Sequence, residues 1–287
     1  MPFFGAHMSI AGGLARAIER IRSVDGEALQ IFTRNQRQWQ APPLAEAERE
    51  AFAEAWRDWN RPHIASHGSY LVNLVSPDPA LAARSTAALA EELGRAEALG
   101  LPWHIIHPGA HLGQGPAQGI KACAARLDEG LTRSETTKVM LLLENTAGQG
   151  TTLGASLDEL AGILAASKHA ERLGVCFDTA HAHAAGYDLV TPEGYAATFA
   201  RLEALIGLSR LRVFHVNDTA APRGSRKDRH EHIGRGLIGL AGFSLLVNDP
   251  RFAGQPMILE THKDESLAEG RLNLAALRGL VRSGGPA

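Results

Sequence analysis

Short apolar runs recur along this chain of 287 residues, and most end in a residue able to bind a metal ion. The runs are FFGAH to His7, ALQIFT to Thr33, HIASH to His67, WHIIH to His107, VMLLLE to Glu144, GVCFD to Asp178, LRVFHVND through His215 and PMILE to Glu260. An isolated buried charge is prohibitively costly, so a carboxylate closing a buried strand must be paired or coordinated. Glu144, Asp178 and Glu260, gathered in one place, would repel one another without a cation. Asp178 and His181 stand three apart, and Asp228 and His230 form an Asp-x-His pair. In extended backbone that last spacing projects both side chains to one side. The full set is His67, His107, Glu144, Asp178, His181, His215, Asp228, His230 and Glu260. At about three protein ligands plus an open position per catalytic ion, with some carboxylate bridging, it suits three ions. Nitrogen-rich, thiol-free ligation favours Zn²⁺ or Mn²⁺ over Mg²⁺ or Ca²⁺.

The elements that must position these residues follow from the spacing of the runs. Each is separated from the next by enough chain for one helix and two turns, the repeat of a closed parallel barrel with its active site at the carboxyl ends of the strands. We therefore expect a single-domain α/β fold, a (β/α)8 TIM barrel over residues 1–282, with residues 283–287 a frayed tail. Helical spacing covers 44–59, 80–100, 157–169 and 191–207, the last opened by a threonine cap and a proline. Alternation along WHIIH puts Trp103, Ile105 and His107 on one face, so His107 aims inward while His104 packs beneath helices. The longest loop runs from Asn217 to about Leu237 and carries Arg223, Arg226, Lys227, Arg229 and Arg235. A loop of that length is expected to carry function.

Composition sets the boundaries. Hydrophobic residues make up 45% and charged residues 21%, ordinary globular values with enough apolar surface for a large core. No stretch is apolar enough for a membrane span, and the N-terminus lacks a signal-peptide pattern, so a soluble, cytoplasmic protein is expected. Cys123 and Cys176 lack a CxxC partner and read as packing residues of a reducing compartment. The net charge of −2 argues mildly against a nucleic-acid partner. Three divalent ions would add six positive charges at the one mouth where a phosphate would approach, which removes that objection.

With these residues in view, the chain resembles the endonuclease IV family of abasic-site endonucleases. The likeness is carried from about Gly5 to Thr261 by GAHMSIAGGL, FTRNQRQW, HGSYLVNL, LLLENTAGQG, FDTAHAHAAGYD, HVNDT, RHEHIGRGLIG and ILET. It implies that His67, His107 and Glu144 hold one zinc and that Glu144 bridges to a second held with Asp178, His215 and Glu260. His181, Asp228 and His230 would hold a third. Ala180 departs from the cysteine expected there in many relatives, and His232 and Arg235 fall where the pattern varies. Implied with it is hydrolysis of the phosphodiester 5′ to an abasic site in duplex DNA, leaving a 3′-hydroxyl, with trimming of blocked 3′ ends as a second activity. Glu144 would position the attacking water.

An abasic nucleotide lacks stacking, so extruding it costs little, and selectivity can come from ease of deformation and a tight pocket. Arg37, Gln38, Tyr70 and Leu71 are the candidates to wedge into the stack from the minor groove. Arg226 and Arg229, with Arg34 and Lys227, are candidate phosphate contacts. His7, His111 and His183 are assigned to hydrogen bonds that orient ligands. His63, His104, His169, His232 and His262 read as structural or surface residues, and the protein as a monomer. The rival on the same architecture is a sugar isomerase or epimerase using Glu144, Asp178, His215 and Glu260 around one metal, which leaves the other five residues without a role. A non-catalytic metal-binding protein is the third reading, and it would need closed coordination.

Overall fold

The computed structural model describes residues 1–262 and 266–282. The tail at 283–287 lies outside the described residues. Eight parallel strands close into a barrel: β1 (Phe3–His7), β2 (Ala28–Ile31), β3 (His63–His67), β4 (Trp103–Ile106), β5 (Met140–Glu144), β6 (Leu173–Asp178), β7 (Leu211–His215) and β10 (Pro256–Leu259). The ring runs β1-β10-β7-β6-β5-β4-β3-β2. Two more, β8 (Asp218–Thr219) and β9 (His230–Glu231), form a small antiparallel ribbon above it.

Helices α1 (Leu14–Ser23), α2 (Glu46–Trp59), α3 (Pro79–Ala98), α4 (Pro116–Ser134) and α5 (Leu157–Ala166) return the chain after the first five strands. The short α6 (Thr179–Ala185) and then α7 (Pro192–Leu205) follow β6, α8 (Gly239–Val247) follows the ribbon, and α9 (Ala268–Gly279) follows β10. The local signals act as expected. Thr191 caps α7 with Pro192 beside it, and Ser156 and Glu159 form a capping box on α5. Helix α5 stops at Ala166, short of the 169 expected, and a 3₁₀ turn at Ala170–Arg172 leads into β6.

Two apolar layers result. Between strands and helices lies the main core, including the aromatic group Phe177, Phe199, Phe214 and Phe252. Inside the barrel a separate plug is formed by Ala28, Ala65, Ile105, Leu142, Cys176, Val213 and Ile258, with Phe3, Trp103 and Met140 packed against it. Gly5 belongs to the same interior and has no room for a side chain, since a Cβ there would lie 1.7 Å from the Ala28 carbonyl oxygen. Both cysteines are buried and free, as their setting suggested.

The plug determines everything above it. Side chains alternate along a strand, so the residue two positions further on shares its inward face. That step takes Ala28 to Gln30, Ala65 to His67, Ile105 to His107, Leu142 to Glu144, Cys176 to Asp178, Val213 to His215, Ile258 to Glu260 and Gly5 to His7. One expectation is corrected by it. Strand β2 ends at Ile31 rather than Thr33, and its inward residue at the mouth is Gln30. Thr33 lies beyond the strand, where its carbonyl accepts from Arg95 of α3 at 3.0 and 2.7 Å.

Outside the barrel, Arg34 forms a buried ion pair with Glu92 of α3 at 2.9 Å. His104 faces the same carboxylate at 3.6 Å, with Ser66 on its other ring nitrogen at 2.9 Å. Burial works against the Glu92 charge, but His104 and Arg34 hold its carboxyl below the usual range. Removing one partner of such a pair leaves an uncompensated buried charge. Arg34→Met should therefore lower unfolding free energy by about 3–5 kcal/mol in urea titration. The same change at exposed Arg37 should stay within about 0.5 kcal/mol.

Candidate metal centre

The carboxyl-end residues converge in three groups, in each of which the donor atoms lie within 4.8 Å of one another: His67, His107 and Glu144; Glu144, Asp178, His215 and Glu260; and Asp178, His181 and His230. Glu144 is at the centre and fully buried. Its Oε2 lies 2.9 Å from His67 Nε2 and 3.1 Å from His107 Nε2, and its Oε1 lies 3.0 Å from His215 Nδ1 and 3.2 Å from His181 Nδ1. Asp228 closes the third group, with its oxygens 3.3 Å from His181 Nε2 and 3.3 Å from His230 Nε2. All nine candidate ligands thus stand at one mouth.

Charge explains the state of these groups. Burial penalises the Glu144 carboxylate, yet His215 and His107 hold it well below the usual range. Burial likewise opposes a charged His215, but Cys176, Glu260 and Glu144 raise it well above the ordinary imidazole value. His181 is raised in the same way against burial by Asp178, Asp228 and Glu144. Glu260 and Asp228 fall to about 2 despite burial, chiefly through His215 and His181 respectively. The protonated rings supply the positive charge that clustered carboxylates require, which is the charge a divalent ion brings.

The donor set fits such ions. His67 Nδ1 lies 2.9 Å from the Gly68 carbonyl and His181 Nδ1 lies 2.9 Å from the Asn145 carbonyl. Donating there, each ring keeps its proton on Nδ1, so Nε2 is the atom that would give up its proton to an ion, the usual means of orienting a ligating histidine. His230 Nε2 is buried without an aligned hydrogen-bond partner, although carboxylate oxygens are near.

Residues not picked out in sequence hold this frame. Asn217 Nδ2 donates to Asp178 Oδ2 at 2.7 Å, and its Oδ1 accepts from the Glu260 amide at 2.8 Å. Asn145 exchanges two hydrogen bonds with the Asp178 backbone, at 2.7 and 3.0 Å. Asp178 also caps α6, accepting from the His181 amide at 2.7 Å. In the long loop, Asp218 accepts from the amides of Thr219, Gly234, Gly236 and Ile238 at 2.8–3.0 Å, shaping the chain around the β8–β9 ribbon that carries His230. That loop therefore has secondary structure of its own. The signal for them lies in ENT and HVND, where Asn145 directly follows Glu144 and Asn217 and Asp218 stand two and three positions after His215.

The other candidates divide. Arg37 and Gln38 are exposed on one loop, Tyr70 is 69% exposed and Leu71 half-buried on the next. Ser69 joins the two loops, donating from Oγ to the Gln36 carbonyl at 2.6 Å. Arg34 is not available to a phosphate. It is buried, and its Nη1 instead holds the Gln38 and Trp39 carbonyls at 3.0 and 2.8 Å. Arg226, Lys227 and Arg229 are exposed on the long loop. His7 reaches the mouth, its Nδ1 3.0 Å from Gln30 Nε2. His111 does not orient a ligand by any hydrogen bond seen among the described residues; its Nδ1 accepts from the Gly115 amide at 3.1 Å, at the start of α4. His183 is buried on α6 with its Nδ1 unpaired, and burial lowers its pKa. His63 and His104 are structural, the first stacked on Trp103 at 5.7 Å.

Comparison with known proteins places this geometry. Residues 18–280 match the family model described as a xylose isomerase-like TIM barrel. A probable endonuclease 4 of Nitratidesulfovibrio vulgaris is 51% identical over 283 residues, covering 99% of this chain and 100% of that protein. One from Chloroflexus aurantiacus is 48% identical, covering 98% and 99% respectively. The crystal structure of endonuclease IV from Thermus thermophilus superposes with a TM-score of 0.86 at 35% identity, over 97% of this chain and 98% of that one. A D-tagatose 3-epimerase-like protein shares the fold alone, with a TM-score of 0.73 at 18% identity. No helix among the described residues is long and apolar enough to cross a membrane. The chain belongs to the endonuclease IV family, within the xylose isomerase-like TIM barrels.

Proposed function

We propose that this protein is a DNA repair endonuclease that hydrolyses the phosphodiester 5′ to an abasic site in duplex DNA, leaving a 3′-hydroxyl and a 5′-deoxyribose phosphate. Trimming of blocked 3′ ends is its second activity. The observation that carries the reading is the gathering of five histidines and four carboxylates into three overlapping groups at one barrel mouth. A sugar isomerase built on Glu144, Asp178, His215 and Glu260 would leave His67, His107, His181, Asp228 and His230 unused. The names of the relatives, endonuclease 4, point the same way.

The nine residues suit three Zn²⁺ ions, with Mn²⁺ an alternative at one or more positions. Bound there, such ions would lower the pKa of a water and neutralise phosphate and leaving-group oxygens. Glu144, central to two groups, positions the attacking water. Tyr70 and Leu71, with Arg37 and Gln38 on the loop tied to them by Ser69, enter the duplex beside the extruded sugar. Arg226 and Arg229 contact the flanking phosphates. The protein works as a monomer in the cytoplasm, in keeping with its two buried free thiols.

Incision of an end-labelled duplex bearing one abasic site tests the reaction. One cut 5′ to the lesion with a 3′-hydroxyl, lost on chelation and reduced about 10³-fold or more in Glu144→Gln, is expected. No cut by metal-loaded protein refutes it. Tyr70→Ala should weaken binding of the abasic duplex by about 1–3 kcal/mol while leaving the rate at saturation nearly unchanged. A gel-shift titration beside single-turnover kinetics separates the two.

The pH dependence of metal uptake has a definite sign. Raised histidines stabilise the metal-free fold fully below their ordinary pKa of about 6.5, and that contribution fades as pH rises through the raised values. A metal ion must displace those protons from His181 and His215, so zinc uptake should release protons and tighten as pH rises. Calorimetry in buffers of different ionisation enthalpy counts the protons. Uptake that releases none would remove these two residues from the ligand set.

A further inference from the structure

Seven of the eight inward residues at the mouth are ionisable, and the eighth, Gln30 of β2, is fully buried among them. Its amide spans three neighbouring strands of the ring. Gln30 Nε2 lies 2.6 Å from Glu260 Oε1 and 3.0 Å from His7 Nδ1, and its Oε1 lies 2.7 Å from His215 Nε2. We propose that Gln30 is a positioning residue that fixes the proton of His215 on Nε2, so that Nδ1 is the atom offered to a metal ion together with Glu260. The proposal rests on the metal reading above and adds a residue to it.

The argument is one of donors and acceptors. A carboxylate oxygen only accepts, so Glu260 Oε1 requires the NH₂ end of the amide. Turning the amide over would set two oxygens against each other at 2.6 Å. With the NH₂ end committed, Oε1 faces His215 and only accepts, so the His215 proton on that side must sit on Nε2. The proton that a metal ion would displace is then the one on His215 Nδ1, which lies 3.0 Å from Glu144 Oε1 and 3.2 Å from Glu260 Oε2, within the second ligand group. The second hydrogen of the amide donates to His7 Nδ1, which leaves the His7 proton on Nε2. A single neutral side chain thus orients one carboxylate and two imidazoles, and adds no charge to a mouth already crowded with it.

Gln30→Met keeps the length of the side chain and removes both polar ends. Zinc content and chelator competition should show one ion released about 10–100-fold more readily than in the wild type, the usual cost of losing a partner behind a ligand, with the remaining ions held as before. Long-range proton–nitrogen NMR of the zinc-loaded wild type, with labelled histidine, should place the His215 proton on Nε2, and this readout does not depend on the variant folding. Gln30→Glu, which keeps the acceptor for His215 but sets a second carboxylate against Glu260, should also lose zinc. A wild type that binds zinc with the His215 proton on Nδ1, or a folded Gln30→Met protein that holds all its zinc as tightly as the wild type, overturns the proposal alone. A wild type that takes up no zinc overturns the metal reading with it.

Discussion

The whole structure answers to one electrostatic constraint. Strand alternation drives Glu144, Asp178 and Glu260 into one mouth, where Glu144 and Asp178 are fully buried, and the loop adds a partly exposed Asp228. Carboxylates so placed are tolerable only with positive charge between them. Five imidazoles stand in the gaps, and His181 and His215 are held protonated by the field of the acids. Those same groups can exchange their protons for cations.

The frame around the mouth serves that arrangement. Asn217 ties Asp178 to Glu260, Asn145 ties β5 to β6, and backbone carbonyls fix the protons of His67 and His181. Each bond selects a rotamer or tautomer, so the candidate donor atoms face inward. Beneath them the apolar plug sets the floor of the site and excludes water. Its members are small or aliphatic on the strands nearest the ligands, and Gly5 lets β1 and β2 approach closely enough for His7 to meet Gln30.

The surface loops depend on buried chemistry of a different kind. Arg34, hidden against Glu92, grips the carbonyls of Gln38 and Trp39, while Ser69 holds that of Gln36. The exposed side chains of Arg37, Gln38 and Tyr70 are therefore carried on loops fixed from behind. Rigid presentation lowers the ordering cost of any binding in which these side chains take part. The ribbon of β8 and β9, shaped by Asp218, does the same for His230.

Sequence by itself determined the barrel and most of its mouth, because both are written in local periodicity. Apolar runs with helical spacers between them specify parallel strands, and alternation within a run such as WHIIH already separates inward His107 from outward His104. Such patterns involve residues a few positions apart. Tertiary structure alone decided what depends on contacts between distant segments. Arg34 looks like any basic loop residue until Glu92, 58 positions away, is brought against it. Gln30 reads as an ordinary polar residue in a strand, and the end of that strand was misplaced at Thr33, until closure of the ring sets it against Glu260 and His215, 230 and 185 positions on. Closing the barrel converts a periodic pattern into a shared interior, and only there do the partners of a buried polar group become defined.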